Sequence, residues 1–187
     1  MTTVAVVLAA GVGRRYSGTT HKLLAPLRGR TVVEHAVAAA VAAAVGPVVV
    51  VTGVEPAVAD LVPDGVEVVH NPRARDGIAT SLQVAVVAAR RLEADGIVVG
   101  LGDQPFVAPE AWRLVAAATA TPLAVATYDG VRGNPVRLAA EVWDDLPTEG
   151  DEGARVLLRG SPGLVTAVPC PGSSADIDTV EDLRTWS

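Results

Sequence analysis

Three cations follow one small-residue loop near the start of the sequence: Arg14, Arg15 and Lys22, after Ala9-Ala10-Gly11-Val12-Gly13. Small residues let a backbone approach a ligand closely, and successive N–H groups of such a turn form a nest for anionic oxygens. With formal positive charge added, this is a polyphosphate-binding set. A second group is Asp103, placed directly after an apolar run in Gly100-Leu101-Gly102-Asp103. A third is Asp176-Ile177-Asp178-Thr179, with Glu181 and Asp182 close behind. Asp176 and Asp178 are two positions apart, so on an extended segment they face the same way. If that segment returns beside Asp103, carboxylates converge on one divalent ion. Magnesium takes one or two carboxylates together with phosphate oxygens and water, which makes Mg²⁺ the expected cofactor. The plainer readings are a turn aspartate at Asp103 and a helix N-cap at Thr179, with Asp182 in an acidic first turn.

Two commoner phosphate motifs are incomplete. A dinucleotide fingerprint needs a third small residue where Tyr16 stands after Gly11-Val12-Gly13-Arg14-Arg15. A Walker loop needs lysine after its second glycine, but Gly13 and Gly18 are followed by Thr19.

The elements that must carry these residues alternate. Val4–Leu8 is an unbroken apolar run, as expected of a strand covered on both faces. The pattern predicts further strands at Val48–Thr52, Val66–His70, Ile97–Leu101 and Leu123–Thr127. Between them it predicts helices at Val32–Val45, Pro56–Leu61, Ala79–Leu92 and Pro109–Ala118. Thereafter the alternation loosens: a short strand Val136–Leu138, helical turns around Glu141–Asp145 and Glu152–Leu158, a strand Leu164–Val168, and a closing helix Val180–Trp186. This is a three-layer α/β pattern on a mainly parallel sheet. Ligands of such sheets gather at the carboxyl ends of the strands, which puts the Ala9–Lys22 loop and Asp103 on one edge. No linker or repeat divides residues 1–187, so one domain is expected.

Composition narrows the partners. Half the residues are apolar, aromatics are few, and the formal charge is -6, which argues against nucleic acid. Cys170 is the single cysteine, so neither an internal disulfide nor a cysteine zinc site is available. Met1 leads straight into a strand without a basic leader, and the apolar stretch from Val37 to Val51 is broken by Gly46-Pro47. A cytoplasmic protein without membrane contact is the expectation. His21, His35 and His70 have no metal-ligand spacing and read as loop or structural residues, as Trp112, Trp143 and Trp186 read as core anchors.

Taken in order, these motifs resemble the MobA-like nucleotidyltransferases, above all the molybdenum cofactor cytidylyltransferase branch. The resemblance rests on Leu8-Ala9-Ala10-Gly11, Gly13, Arg15, Lys22-Leu23-Leu24 and Pro26-Leu27. It continues through Asn71-Pro72, Gly77, Ser81-Leu82, Gly102-Asp103-Gln104-Pro105, Gly133-Asn134-Pro135, Gly150-Asp151-Glu152-Gly153-Ala154-Arg155 and the Asp176–Thr179 segment. It implies a Rossmann-like nucleotidyltransferase fold and transfer of CMP from CTP to the phosphate of molybdopterin, with pyrophosphate leaving. By the same resemblance, Gly11, Gly13, Arg15 and Lys22 hold the triphosphate, and Arg15, Lys22 and Asp103 are the catalytic set. Asp103 and Asp178, with Asp176 beside them, hold the metal. Leu8, Ala9, Ala10, Thr80 and Ser81 line the nucleotide site, and Asn134 and Arg155 meet the acceptor. A Leu-Ala-Ala-Gly start goes with cytosine in the family, so Ala10 favours CTP over GTP.

Two departures stand out. Tyr16–His21 lengthens the segment between Arg15 and Lys22, and Asn134 stands where many relatives have histidine. Molybdenum cofactor guanylyl transfer from GTP, or cytidylyl transfer to another small phosphate, keeps the chemistry and changes a substrate. A non-catalytic nucleotide-binding regulator and a Rossmann oxidoreductase are the readings of other classes. Transient contact with a molybdoenzyme or its chaperone is compatible with the cofactor reading.

Overall fold

The computed structural model describes residues 1–13 and 15–186; Arg14, counted above among the loop cations, lies outside the described residues. Among the described residues there are nine strands: β1 Thr3–Ala9, β2 Pro26–Leu27, β3 Arg30–Thr31, β4 Val48–Thr52, β5 Glu67–His70, β6 Gly96–Leu101, β7 Leu123–Tyr128, β8 Val131–Ala139 and β9 Val165–Pro169. The helices are α1 Val32–Ala43, α2 Ile78–Arg91, α3 Pro109–Ala117, α4 Arg155–Gly160 and α5 Val180–Trp186. Seven strands form one sheet in the order β5-β4-β1-β6-β8-β7-β9. Only β8 runs against the rest, pairing antiparallel with both β6 and β7. The central strands β1, β4, β6 and β7 read as nearly continuous apolar runs because both faces are covered. Ala5, Val7, Val50, Val98 and Ala124 face the α1 and α3 side, while Val4, Val6, Val49, Ile97 and Val125 face the α2 side.

Helix α1 starts where its sequence says it should. The Thr31 hydroxyl accepts the Glu34 N–H, and the Glu34 carboxylate accepts the Thr31 N–H, a reciprocal capping box. The helix stops at Ala43, with Ala44 left-handed, shorter than the predicted end at Val45. Two other boundaries move further, and one element is new. The predicted strand Val136–Leu138 is the end of nine-residue β8, whose hairpin with β7 turns through Asp129 (φ +50°) and Gly130 (φ +82°). Asp-Gly between two apolar runs is a strong hairpin signal, and it is what the prediction missed. The turn predicted at Glu152–Leu158 forms three residues later, as α4. A small β2–β3 hairpin, unpredicted, turns at Arg28-Gly29.

Candidate active site

Strand β1 pairs with β6 so that Leu8 stands opposite Leu101, and the Gly102 N–H donates to the Leu8 carbonyl at 2.9 Å. The two strands therefore release their loops side by side, and the cationic loop meets Asp103 as anticipated. The end of the chain joins them: the Ile177 N–H donates to the Asp103 carbonyl at 2.9 Å, with the Ile177 side chain fully buried. This backbone bond sets Asp176 and Asp178 on either side of an anchored residue. Thr179 then caps α5, its hydroxyl accepting the Asp182 N–H while Asp182 accepts the N–H groups of Asp178 and Thr179. Those bonds, the Thr179 contact foremost, lower the Asp182 pKa. A stack holds the assembly from outside, with the Phe106 and Trp186 rings 4.4 Å apart and Arg28 both over Phe106 and donating to the Trp186 carbonyl.

At the centre is Lys22, only 8% exposed. A charge at that depth needs compensation. Its ammonium donates to Asp103 Oδ2 at 2.5 Å and to Asp178 Oδ1 at 2.9 Å, while Arg15 Nη2 lies 2.7 Å from Asp178 Oδ2. Burial works to lower the Lys22 pKa, but Asp103 and Asp178 together outweigh it and the net shift is upward. Asp176 lies just outside the pairings. Burial raises its pKa and the charge of Asp103 adds to the rise, against a hydrogen bond from Gln104.

The donors around the ammonium are the hard oxygens that a divalent cation takes. Among the described residues, no three or more His, Cys, Asp or Glu are arranged to hold a metal by themselves. Two carboxylates that leave the other positions to phosphate oxygens and water match what magnesium asks of a protein. The residues fit such an ion.

A cavity of about 270 Å³ opens beside Lys22. Leu8, Ala9, Ala10, Gly11 and Gly13 form one wall, and Ser81 and Asp103 another. Gly13 is left-handed, at φ +65°. His21 braces this loop, one ring nitrogen 3.1 Å from the Gly11 carbonyl and the other accepting the Leu23 N–H. By residue type alone His21 reads as a loop residue; its position directly before Lys22 is the signal for this role. Thr80 is the correction. Its hydroxyl accepts from Asn71 and lies 2.9 Å from the carbonyls of Arg73 and Gly77, so it ties the entry of α2 together instead of facing the cavity.

A second cavity, of about 360 Å³, adjoins the first, and Leu8, Ile78, Leu101 and Asp151 line both. Its floor is apolar, with Leu82, Val99, Val125 and Val136, and Asn134 and Arg155 stand among its lining. The Arg155 guanidinium makes no hydrogen bond or ion pair among the described residues, whereas the neighbouring Arg159 is paired with Glu152. Asp151 is held at the boundary because Gly150 donates to the Asp76 carbonyl and accepts the Ala79 N–H, each at 3.0 Å.

A family model of the MobA-like NTP transferase domain matches residues 5–166. The chain belongs to this family. MobA-like NTP transferases are nucleotidyltransferases, and the chain is an enzyme of that class. Nicotine blue oxidoreductase of Paenarthrobacter nicotinovorans is 33% identical, over 95% of this chain and 93% of its own. A nucleotidyl transferase of Methanothermobacter has the same architecture, with a TM-score of 0.82 and 29% identity over 99% of this chain and 96% of that one. The Mycobacterium tuberculosis H37Rv protein Rv0371c, solved as a complex with manganese, aligns with a TM-score of 0.80 and 30% identity over 100% of this chain and 98% of its own.

As a MobA-like transferase the chain thus brings Leu8, Ala9, Ala10, Gly11, Gly13, Lys22, Ser81 and Asp103 around one cavity. Asp178 and Arg15 join them through the ion pairs, and Asn134 and Arg155 belong to the neighbouring cavity. No helix among the described residues is long and apolar enough to cross a membrane.

Proposed function

We propose that the protein transfers CMP from CTP to the phosphate of molybdopterin, with Mg²⁺ as the metal. The observation that carries this reading is the Lys22 ammonium held between Asp103 and Asp178 at the mouth of a cavity walled by Leu8–Gly13. The order of family motifs supports the molybdopterin branch, and Ala10 in the cavity wall supports cytosine. The manganese complex of the M. tuberculosis relative supports the use of a divalent metal.

In the reaction an oxygen of the acceptor phosphate forms a bond to the α-phosphorus of CTP. The bond from that phosphorus to the β-phosphate bridging oxygen breaks, and pyrophosphate leaves. The acceptor is already anionic, so no protein nucleophile or base is required. The difficulty is to align two anions and screen their repulsion, and positioning with charge neutralisation supplies most of such catalysis. The backbone of Gly11–Gly13 receives the triphosphate, and Lys22 and Arg15 stabilise the charge that accumulates on the departing pyrophosphate. Asp103 and Asp178 hold the metal, which when bound neutralises phosphate charge and polarises the reacting phosphoryl group. Ser81, Ala9 and Ala10 border the nucleoside, and Arg155 offers its unpaired guanidinium to the acceptor.

The test is thermal stability with each of CTP, GTP, ATP and UTP, with and without Mg²⁺, followed by pyrophosphate release with molybdopterin. A ligand of the native state raises apparent stability according to its affinity. A metal-dependent shift selective for CTP is expected; a GTP-selective shift moves the activity to guanylyl transfer.

A second reading has one observation in its favour, the oxidoreductase name of a 33% identical relative. Against it, Tyr16 takes the place of the small residue that ends a dinucleotide fingerprint. A stabilising shift with NADPH in place of CTP would overturn the transferase reading.

A further inference from the structure

Gln104 is 5% exposed, and its amide joins the metal-side carboxylates to the second cavity. Its Nε2 donates to the Ser174 carbonyl at 3.0 Å and to Asp176 Oδ1 at 2.8 Å. Its Oε1 accepts from Asn134 Nδ2 at 3.1 Å. A primary amide has two N–H bonds, and here both are taken. One partner is a backbone carbonyl, which only accepts, so the amide's sense holds in every protonation state of Asp176. With its nitrogen turned to Ser174, Gln104 must face Asn134 with oxygen, and Asn134 must answer with its NH₂ group. That turns the Asn134 Oδ1 outward, and it has no protein partner among the described residues.

The backbone places Asn134 for this. Strand β7 pairs Val125 with Val136 and Ala126 with Gly133, so Asn134 and Pro135 form a bulge with no counterpart on β7. Bulges beside active sites re-aim a side chain, and here the side chain goes to the cavity. Tyr128 donates its hydroxyl to the Asn134 carbonyl at 2.7 Å and pins the bulge. Gly133 lets the hairpin lie against the 174–178 segment, because a Cβ there would come within 2.4 Å of Ser174 Oγ.

We infer that Asn134 is the specificity-determining residue of the second cavity, presenting a fixed hydrogen-bond acceptor to the lactam ring N–H on the edge of a flat heterocyclic acceptor, and that Gln104 is the positioning residue that sets it. The apolar floor of Leu82, Val99 and Val125 suits the faces of such a ring, and one oriented polar group then selects its edge. The inference rests on the acceptor reading given above.

The probe is free pterin, followed by its own fluorescence and titrated into the full chain beside its N3-methyl derivative. Methylation removes the ring N–H and is expected to weaken binding by about tenfold, as for loss of one buried hydrogen bond. In Asn134→Leu the two pterins should bind within about twofold of each other, and in Gln104→Leu, where the Asn134 amide is free to turn, the ratio should fall in the same direction. A merely structural role would change both affinities together and leave their ratio alone. Equal binding of the two pterins to the unmodified chain overturns the inference and leaves the acceptor reading standing. Failure of free pterin to bind overturns the acceptor reading and the inference with it.

Discussion

The two cavities share a wall at Leu8, Ile78, Leu101 and Asp151, yet they are built in opposite ways. The first is charged and made of loops. Parallel strands β1 and β6 end together, and their loops, joined by the segment before α5, bring Lys22, Arg15, Asp103 and Asp178 into contact. The second has an apolar floor made largely of strand and helix faces, and its charged groups, Arg132, Asp151, Glu152, Arg155 and Arg159, come from outside that floor. It exists because β8 runs backwards through the sheet, so side chains of its flank, instead of loop ends, form the floor. Parallel strand ends concentrate polar chemistry at one edge. A reversed strand beside them supplies a surface shaped for a less polar body. Binding and electrostatic work are thereby divided between two neighbouring regions.

The contrast breaks most sharply at Asp103. Asp103→Asn is expected to slow pyrophosphate release by about 10²–10³-fold, the usual loss for one preorganised electrostatic group. Its melting temperature should stay near that of the unmodified protein, because Lys22 keeps Asp178. Undiminished turnover would remove Asp103 from the charged region. Next comes Lys22→Met, which leaves Asp103 and Asp178 facing each other without the ammonium. Stability should fall by about 2 kcal/mol, below the roughly 3–5 kcal/mol seen for a fully buried pair, since both carboxylates remain partly solvated. Added Mg²⁺ should recover more of the lost melting temperature in this variant than it adds to the unmodified chain; a metal response no larger than normal would mean that the ion does not bind where the ammonium stood.

On the apolar side, Arg155→Ala should raise KM for the acceptor by about tenfold, the scale of one charge-assisted contact, with KM for CTP unchanged within error. The reverse pattern would assign Arg155 to the nucleotide. The smallest effect lies outside both cavities. The backbone N–H of Thr31, and then its hydroxyl, hold the Glu34 pKa below its ordinary value. A depressed carboxyl contributes stability above its unfolded pKa and loses it as pH falls through the folded one. Glu34→Gln should therefore cost up to about 1 kcal/mol at neutral pH, and the cost should fade as pH drops through the lowered folded pKa, beneath the usual carboxylate range near about 4. Paired melts across that range check the sign, and turnover should not change.

How much of this was legible in the chain follows from what each signal measures. Continuous Val and Ala runs report burial on both faces, and all five strands of the alternating stretch formed within a residue or two of their expected bounds. Charged residues after strand ends report loop positions on one edge, so the meeting of the cationic loop with Asp103 was foreseeable from pattern. What was hidden depends on partners distant in sequence. Nothing local marks Gln104 as the link between Asp176 and Asn134, 72 and 30 positions away. The family resemblance implies a nucleotide-site role for Thr80 beside Ser81. Its hydroxyl instead satisfies the Asn71 amide, a demand created only when the 71–77 loop folds back. His21 was read by residue type, whereas its role comes from the Gly11 carbonyl lying 3.1 Å from its ring.

The common wall of the two cavities also sets terms for inhibition. A molecule that joins a cytidine phosphate to a flat ring system would run along Leu8, Ile78, Leu101 and Asp151, the residues that line both cavities. Its second half would bind as an intramolecular event, at an effective concentration set by the tether, so a short link matched to that crossing should favour it over either half alone by about 10²–10⁴. Asp151, anchored at the crossing by the Gly150 bonds to Asp76 and Ala79, would meet the tether itself, which makes a neutral or cationic link preferable to another phosphate.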